Sequence, residues 1–373
     1  MGSSRTWPDS IFRCKNMELG RVEEDVKLLD EEKPSGFAKP IRDTRRLKLC
    51  CGMSLLAAVW LQGTTAWWMW RSSSLYRMWN QDDKKGGACP ASYDADVMAH
   101  ISHAARVAFC NPPTDEVYRW SCGPCKDSNL SIVDGTFRPI YGSGVFGQNG
   151  MYAYTVRLSG PEPFAGGCLL AFQGTHNLAG SLIDADAILE EMPARYKCSA
   201  CHAHRGFLLA WEDVEPKVVD ALQAIGCSQE SGLIVTGHSL GASVATLAAW
   251  SLAQVHGFRL RMLFAFESPR VGDPAFHSFF DKMLVDDVSL GRHVFRLSYH
   301  RDAVPHLPPR MAGFEHVNCE VYYAEDGIFR VCNDTEDPTC AGRWAPPNWN
   351  FDMRNNHGSD HCQPAYNKLQ CTC

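Results

Sequence analysis

Polar and apolar residues divide the chain into four stretches. Residues 1–48 are polar, carry both charge signs and show no sustained hydrophobic period, so they read as a disordered or loosely structured tail. Residues 49–70 are predominantly apolar and about long enough to cross a bilayer, although Gln62, Gly63, Thr64 and Thr65 weaken their centre. Residues 71–95 are polar again and read as a stalk. From Val97 onward helical spacing alternates with short apolar runs. The pattern predicts strands over 168–172, 233–236, 262–266 and 294–297, and helices over 97–109, 207–225 and 242–255. Such alternation is the signature of an α/β domain with a largely parallel central sheet, here over 96–373.

The apolar stretch 49–70 reads as a signal anchor. Arg42, Arg45, Arg46 and Lys48 precede it, and Trp67, Trp68 and Trp70 close it as an interfacial aromatic belt does. The N-terminus is then cytosolic and the domain luminal or extracellular, a type II orientation. Arg71, Arg77, Lys84 and Lys85 on the far side leave the charge bias modest. The alternative is a cleaved signal peptide, with 49–61 as its core and Thr64-Thr65-Ala66 as the cleavage site, giving a secreted protein.

Composition adds two constraints. With 373 residues, 45% of them hydrophobic, the chain can bury one large core, and a formal net charge of −6 lacks the basic footprint that nucleic-acid binding requires. Seventeen cysteines are too many for a reducing compartment unless many bind metal. Three of them, Cys14, Cys50 and Cys51, lie at or before the apolar stretch, while an even fourteen lie from Cys89 onward. That division favours a membrane boundary with an oxidising side beyond it.

The chemistry centres on Gly237-His238-Ser239-Leu240-Gly241, between the apolar run 233–236 and the alanine-rich run 242–249. Strand, G-x-S-x-G, helix is the context in which a sharp turn pushes a serine out above a sheet as a nucleophile. Gly237 and Gly241 let backbone segments pass where a Cβ would collide. A buried turn that matches the pattern by chance lacks such flanks.

Five blocks then resemble, in order, the signatures of the class 3, fungal-type lipases: residues 171–175, 204–208, 237–241, 268–274 and 301–309. The resemblance covers about 96–373 and implies an α/β-hydrolase fold with a Ser-Asp-His triad. It assigns Ser239 as nucleophile and Asp302 as the acid, with the backbone N–H groups of Thr175 and Leu240 as the oxyanion hole. Asp302 could otherwise be an ordinary turn residue. The family's base follows an aspartate near the C-terminus, which selects His361 after Asp360. Tyr366 lies five residues further on where the family has three, so His357 is the runner-up; His316 falls in a block where the family's histidine is not the base. Residues 176–192 occupy the family's lid position and mix Leu178, Leu182, Ile183 and Ile188 with Asp184, Asp186, Glu190 and Glu191.

Two cysteine motifs point elsewhere when taken alone. Cys122-Gly123-Pro124-Cys125 has the thioredoxin-type spacing, but neither a leading strand nor a following helix is expected around it. Cys198-Ser199-Ala200-Cys201-His202 fits the c-type haem attachment pattern, yet sits inside the lipase-like region. The resemblance implies bridges Cys122–Cys125, Cys332–Cys340 and Cys110–Cys371. No cofactor or metal is expected. Asn129-Leu130-Ser131 and Asn333-Asp334-Thr335 are glycosylation sequons, usable outside the cytosol.

The expected function is therefore that of a membrane-anchored lipase or esterase cleaving carboxylic esters, acylglycerols foremost, at a membrane or emulsion interface. The alternatives are an esterase for soluble or aromatic, feruloyl-type esters and a hydrolase-fold binding protein without turnover. The sequence leaves the oligomeric state open.

Overall fold

The computed structural model describes residue 89 and residues 92–144, 150–175, 188–286, 292–344, 357–362 and 371–373, with side chains from 360 in the 357–362 segment. The tail, anchor and most of the stalk expected over 1–95, including Cys14, Cys50 and Cys51, lie outside the described residues, as does 176–187 of the lid segment. Among the described residues no helix is long and apolar enough to cross a membrane.

The helices are α1 (Ala95–Val107), α2 (Asp115–Tyr118), α3 (Gly123–Asp127), α4 (Arg205–Ala224), α5 (Leu240–Gln254), α6 (Pro274–Phe280) and α7 (His357–Cys362). The strands are β1 (Ser131–Ile132), β2 (Arg138–Tyr141), β3 (Tyr152–Ser159), β4 (Cys168–Phe172), β5 (Leu189–Glu191), β6 (His202–His204), β7 (Leu233–His238), β8 (Leu260–Phe266), β9 (His293–Tyr299), β10 (Glu320–Tyr323) and β11 (Phe329–Val331). A nine-stranded sheet runs β1-β3-β4-β7-β8-β9-β10-β11, with β2 also on β3. Its centre, β4-β7-β8-β9-β10, is parallel; β1, β2 and β11 pair antiparallel at the margins, as do β3 and β4. The four strands and three helices expected from periodicity form within a few residues of their expected bounds.

All six residues of β7 are buried, so this strand is covered on both faces, which is why it reads as a continuous apolar run. Helices α1 and α5 both pack on it. Helix α5 is buried almost all round from Gly241 to Leu252, which explains its small residues: alanine, serine and glycine let the helix lie close to the sheet and to α4. The wedge Trp250, fully buried, stacks against Phe280 at 6.0 Å and holds α6 to α5.

Seven disulfides join all fourteen cysteines from Cys89 onward: Cys89–Cys319, Cys110–Cys373, Cys122–Cys125, Cys168–Cys227, Cys198–Cys201, Cys332–Cys340 and Cys362–Cys371. Cys110 therefore pairs with Cys373 and not with Cys371, because Cys371 closes a local loop onto Cys362 in α7. The Cys89–Cys319 bridge and the packing of Tyr93 on Phe295 and Phe329 tie residues expected in the stalk to the domain.

The Cys-Gly-Pro-Cys segment does start a helix, α3, with Cys122 as its N-cap, contrary to the expectation that no helix follows it. The N-terminal proline of α3 suits that position. Both sulfurs are bonded to each other and buried, so the pair is a staple with no accessible thiol. Among the described residues no group of three or more His, Cys, Asp or Glu side chains is placed to hold a metal ion. Asn129 and Asn333 are both exposed.

Candidate active site

Strand β7 ends at His238 and α5 begins at Leu240, so Ser239 alone makes the reversal. Its φ of 58° and ψ of −127° lie where a residue with a Cβ is strained, as the turn of a nucleophile elbow requires. Its N–H is held by the carbonyl of Phe266 at 2.9 Å. The turn is tight because its glycines have no side chains. A Cβ on Gly237 would strike the carbonyl of Gly241, and one on Gly241 would sit 2.5 Å from the carbonyl of Phe172 and 2.6 Å from that of Gln173.

The segment 173–175 is pressed against the same turn: a Cβ on Gly174 would meet the His238 carbonyl at 2.6 Å. Thr175 and Leu240 thus belong to two backbone segments that touch, and both are partly exposed where Ser239 is buried. The Leu240 N–H opens α5, where the first amides of a helix lack intrahelical partners.

Asp302 follows β9. The chain turns as the Asp302 N–H reaches the Tyr299 carbonyl at 2.9 Å, and one carboxylate oxygen accepts the Val304 N–H at 3.0 Å. The other accepts from Nδ1 of His361 at 2.7 Å. A carboxylate can only accept, so this bond puts the proton on Nδ1 and leaves Nε2 with a lone pair. His361 is fully buried and Asp302 is 2% exposed.

Neither the Oγ of Ser239 nor the Nε2 of His361 has a hydrogen-bond partner, although both are buried. His238 links the two residues. It is the neighbour of Ser239, its ring lies 4.5 Å from that of His361, and its Nε2–H donates to the His361 carbonyl at 2.8 Å. Burial keeps the His238 ring well below the ordinary histidine pKa, and the nearby His361 lowers it further. Sequence alone marked His238 only as an elbow position and gave no sign of this contact.

The loop after Asp302 has a buried brace that the sequence also hid. Arg270 donates to the carbonyls of His306 at 2.6 Å and Pro308 at 3.0 Å, and forks onto Glu336 at 2.7 and 2.8 Å. Burial works against the Glu336 charge, but Arg270 outweighs it and holds that carboxyl far below the usual range. His316 donates from Nε2 to the Pro305 carbonyl at 2.6 Å; buried, and facing Arg296 and Arg270, it stays neutral well below its ordinary pKa. It is a loop support, and the side chain of His357 lies outside the described residues.

A strand, a serine at positive φ, a helix, and a carboxylate-imidazole pair brought in from later in the chain define an α/β-hydrolase. The model of one family, described as lipase (class 3), matches residues 169–312. The chain is similar to secreted mono- and diacylglycerol lipase 2 of Gibberella zeae, 28% identical over 262 residues that make up 63% of this chain and 61% of that protein. Secreted mono- and diacylglycerol lipase A of Penicillium cyclopium is 33% identical over 155 residues, 41% of this chain and 47% of that one. The chain thus spans about half to three fifths of the length of these two relatives. Among solved structures, the Rhizomucor miehei lipase propeptide complex (a deletion mutant) matches with a TM-score of 0.59 at 23% identity, covering 76% of this chain and 82% of that one. Lipase II from Rhizopus niveus matches at 0.58 and 23%, covering 76% and 98%.

Proposed function

We propose that this protein is a serine ester hydrolase that cleaves acylglycerols through Ser239, His361 and Asp302. The observation that carries this reading is the buried His361–Asp302 pair, which leaves Nε2 of His361 open, together with an unbonded Oγ on Ser239 at a strained elbow. Buried polar atoms are normally bonded, so two left open are poised for a third party. Nε2 takes the Ser239 proton as Oγ attacks the ester carbonyl. Asp302 holds the ring in the required tautomer and stabilises the cation that forms. The proton then passes to the leaving alcohol, and water, activated by the same Nε2, releases the acid from the acyl-enzyme. The N–H groups of Thr175 and Leu240 supply the oxyanion contacts, each worth about 2.7–4 kcal/mol of barrier.

Acylglycerols are favoured as substrate because two of the relatives this chain resembles, 28% and 33% identical, are mono- and diacylglycerol lipases by name. The fourteen paired cysteines favour an oxidising compartment for the domain, and those same relatives are secreted by name. In this reading residues 49–70 tether the domain to the membrane as a type II anchor. The partner is the lipid interface that holds the substrate.

The full-length protein, Ser239→Ala, His361→Ala and His357→Ala are assayed on p-nitrophenyl esters and on emulsified mono-, di- and triacylglycerols. Losses on the order of 10⁶ in kcat for the serine and His361 variants, with His357→Ala active, are expected. An inactive His357→Ala beside an active His361→Ala would overturn the assignment of the base. Turnover of soluble aromatic esters without any acylglycerol would overturn the substrate. Resistance to carbonate extraction tests the anchor; release into the medium with a new N-terminus after Ala66 would remove it.

A further inference from the structure

Adjacent to the Asp302–His361 pair lies a second contact of opposite order. Nδ1 of His300 is 3.2 Å from a carboxylate oxygen of Asp360, the residue before His361. His300 and Asp302 stand two apart on the turn that leaves β9, and Asp360 and His361 are neighbours on α7. One turn therefore grips one short helix twice, imidazole to carboxylate outside and carboxylate to imidazole inside. The turn is shaped for it. His300 sits at φ 41°, its N–H is held by the Tyr323 carbonyl at 2.8 Å, and Asp302 closes back on Tyr299. Positive φ in a residue with a Cβ is a strained state that persists only where surrounding contacts enforce it.

The other groups facing His300 fit a held, donating imidazole. Glu325 lies 3.7 Å from Nε2, and the edge of Trp344 packs at 5.9 Å, itself covered by Arg301 at 4.6 Å. His300 is thus flanked by two carboxylates and fixed by a ring. Helix α7 has six residues, too few to be stable on its own, so its position depends on what binds it.

We infer that His300 and Asp360 form an outer clamp that positions α7, and so sets the reach of His361 toward Ser239, without either residue touching the substrate. The inference rests on the proposed triad. The clamp is needed because the inner pair changes charge during each cycle, when His361 becomes a cation and returns, whereas the outer pair keeps one arrangement throughout. A displacement of about 1 Å at a catalytic group can cost on the order of 10²-fold in rate, which is the range over which such a clamp acts.

The test compares His300→Ala, His300→Asn, Asp360→Ala and the double variant His300→Ala/Asp360→Ala with wild type. Asparagine tolerates the left-handed backbone and keeps an N–H donor near the place of Nδ1. The expected result is a fall of about tenfold in kcat for each alanine variant with KM nearly unchanged, no further loss in the double variant, and recovery in His300→Asn. Amide exchange of 357–362 is measured in parallel and is expected to quicken in both alanine variants and not in His300→Asn. That readout does not depend on turnover, so an inactive wild type would sink the proposed reaction while the clamp is still judged by exchange. Wild-type kcat in both alanine variants, additive losses in the double variant, or unchanged exchange over α7 would overturn the clamp.

Discussion

His238 donates its Nε2–H to the backbone carbonyl of His361 at 2.8 Å, while its own chain neighbour is Ser239. The elbow that carries Ser239 and the helix that carries His361 are therefore joined by one side chain. The bond holds the backbone at His361, and burial keeps His238 well below its ordinary pKa. His238→Leu should lose on the order of 10²-fold in kcat while remaining folded, and His238→Gln, which keeps a donor, should lose less. Steady-state kinetics beside circular dichroism checks both; equal rates in wild type and His238→Leu would remove the contact from the account.

Asp302→Asn preserves shape and removes the charge. The amide can then donate to Nδ1 of His361 and force the proton onto Nε2, the wrong nitrogen for a base. The expected loss is about 10⁴-fold in kcat at neutral pH with little change in stability. Partial recovery at high pH would fit the same cause, and a variant as fast as wild type would contradict it.

Gly241→Ala pushes a methyl group to 2.5 Å from the carbonyl of Phe172, where backbone on both sides resists movement. About 3 kcal/mol of stability should go with it, together with the alignment of 173–175 against the elbow. Urea midpoints measure the first effect, and fluorophosphonate labelling of Ser239 the second. A stable, fully labelled Gly241→Ala would mean that the turn has slack.

Buried histidines set the pH response of stability in both directions. Burial, with Arg270 nearby, takes His306 from its ordinary 6.5 down to about 4, and His316 and His238 are lowered likewise. The unfolded chain accepts protons below 6.5 that the folded one refuses, so this part of the stability is lost as pH falls from 6.5 toward 4.

His277 behaves in the opposite way. Burial opposes its charge, but Asp281 at 2.8 Å and Glu315 at 3.4 Å outweigh burial and push it up to about 10. Its contribution is complete below the ordinary 6.5 and is lost as pH rises toward 10. Denaturant midpoints across this range should fall at both ends. His277→Gln should flatten the alkaline limb and leave the acid limb unchanged; an unchanged alkaline limb would point to other groups.

Periodicity marked strands β4, β7, β8 and β9 and helices α1, α4 and α5, because burial on one or both faces of an element is written in local spacing. The elbow was legible for a related reason. The collisions that forbid a Cβ at Gly237 and Gly241 arise within the turn and the backbone beside it, so the two glycines announce the turn. The order serine, aspartate, histidine was implied by the family resemblance, and the proposed reaction rests on it. The tertiary structure decided what meets across the fold. His238 reaches His361 over 123 residues, Arg270 reaches Glu336 over 66, and His300 reaches Asp360 over 60. Pairing among three C-terminal cysteines was equally out of reach of the sequence, and Cys373, not Cys371, took Cys110. Such contacts depend on where strand ends and loops converge after the sheet has formed. A spacing rule describes one element's own faces, and it carries no term for the distance between two.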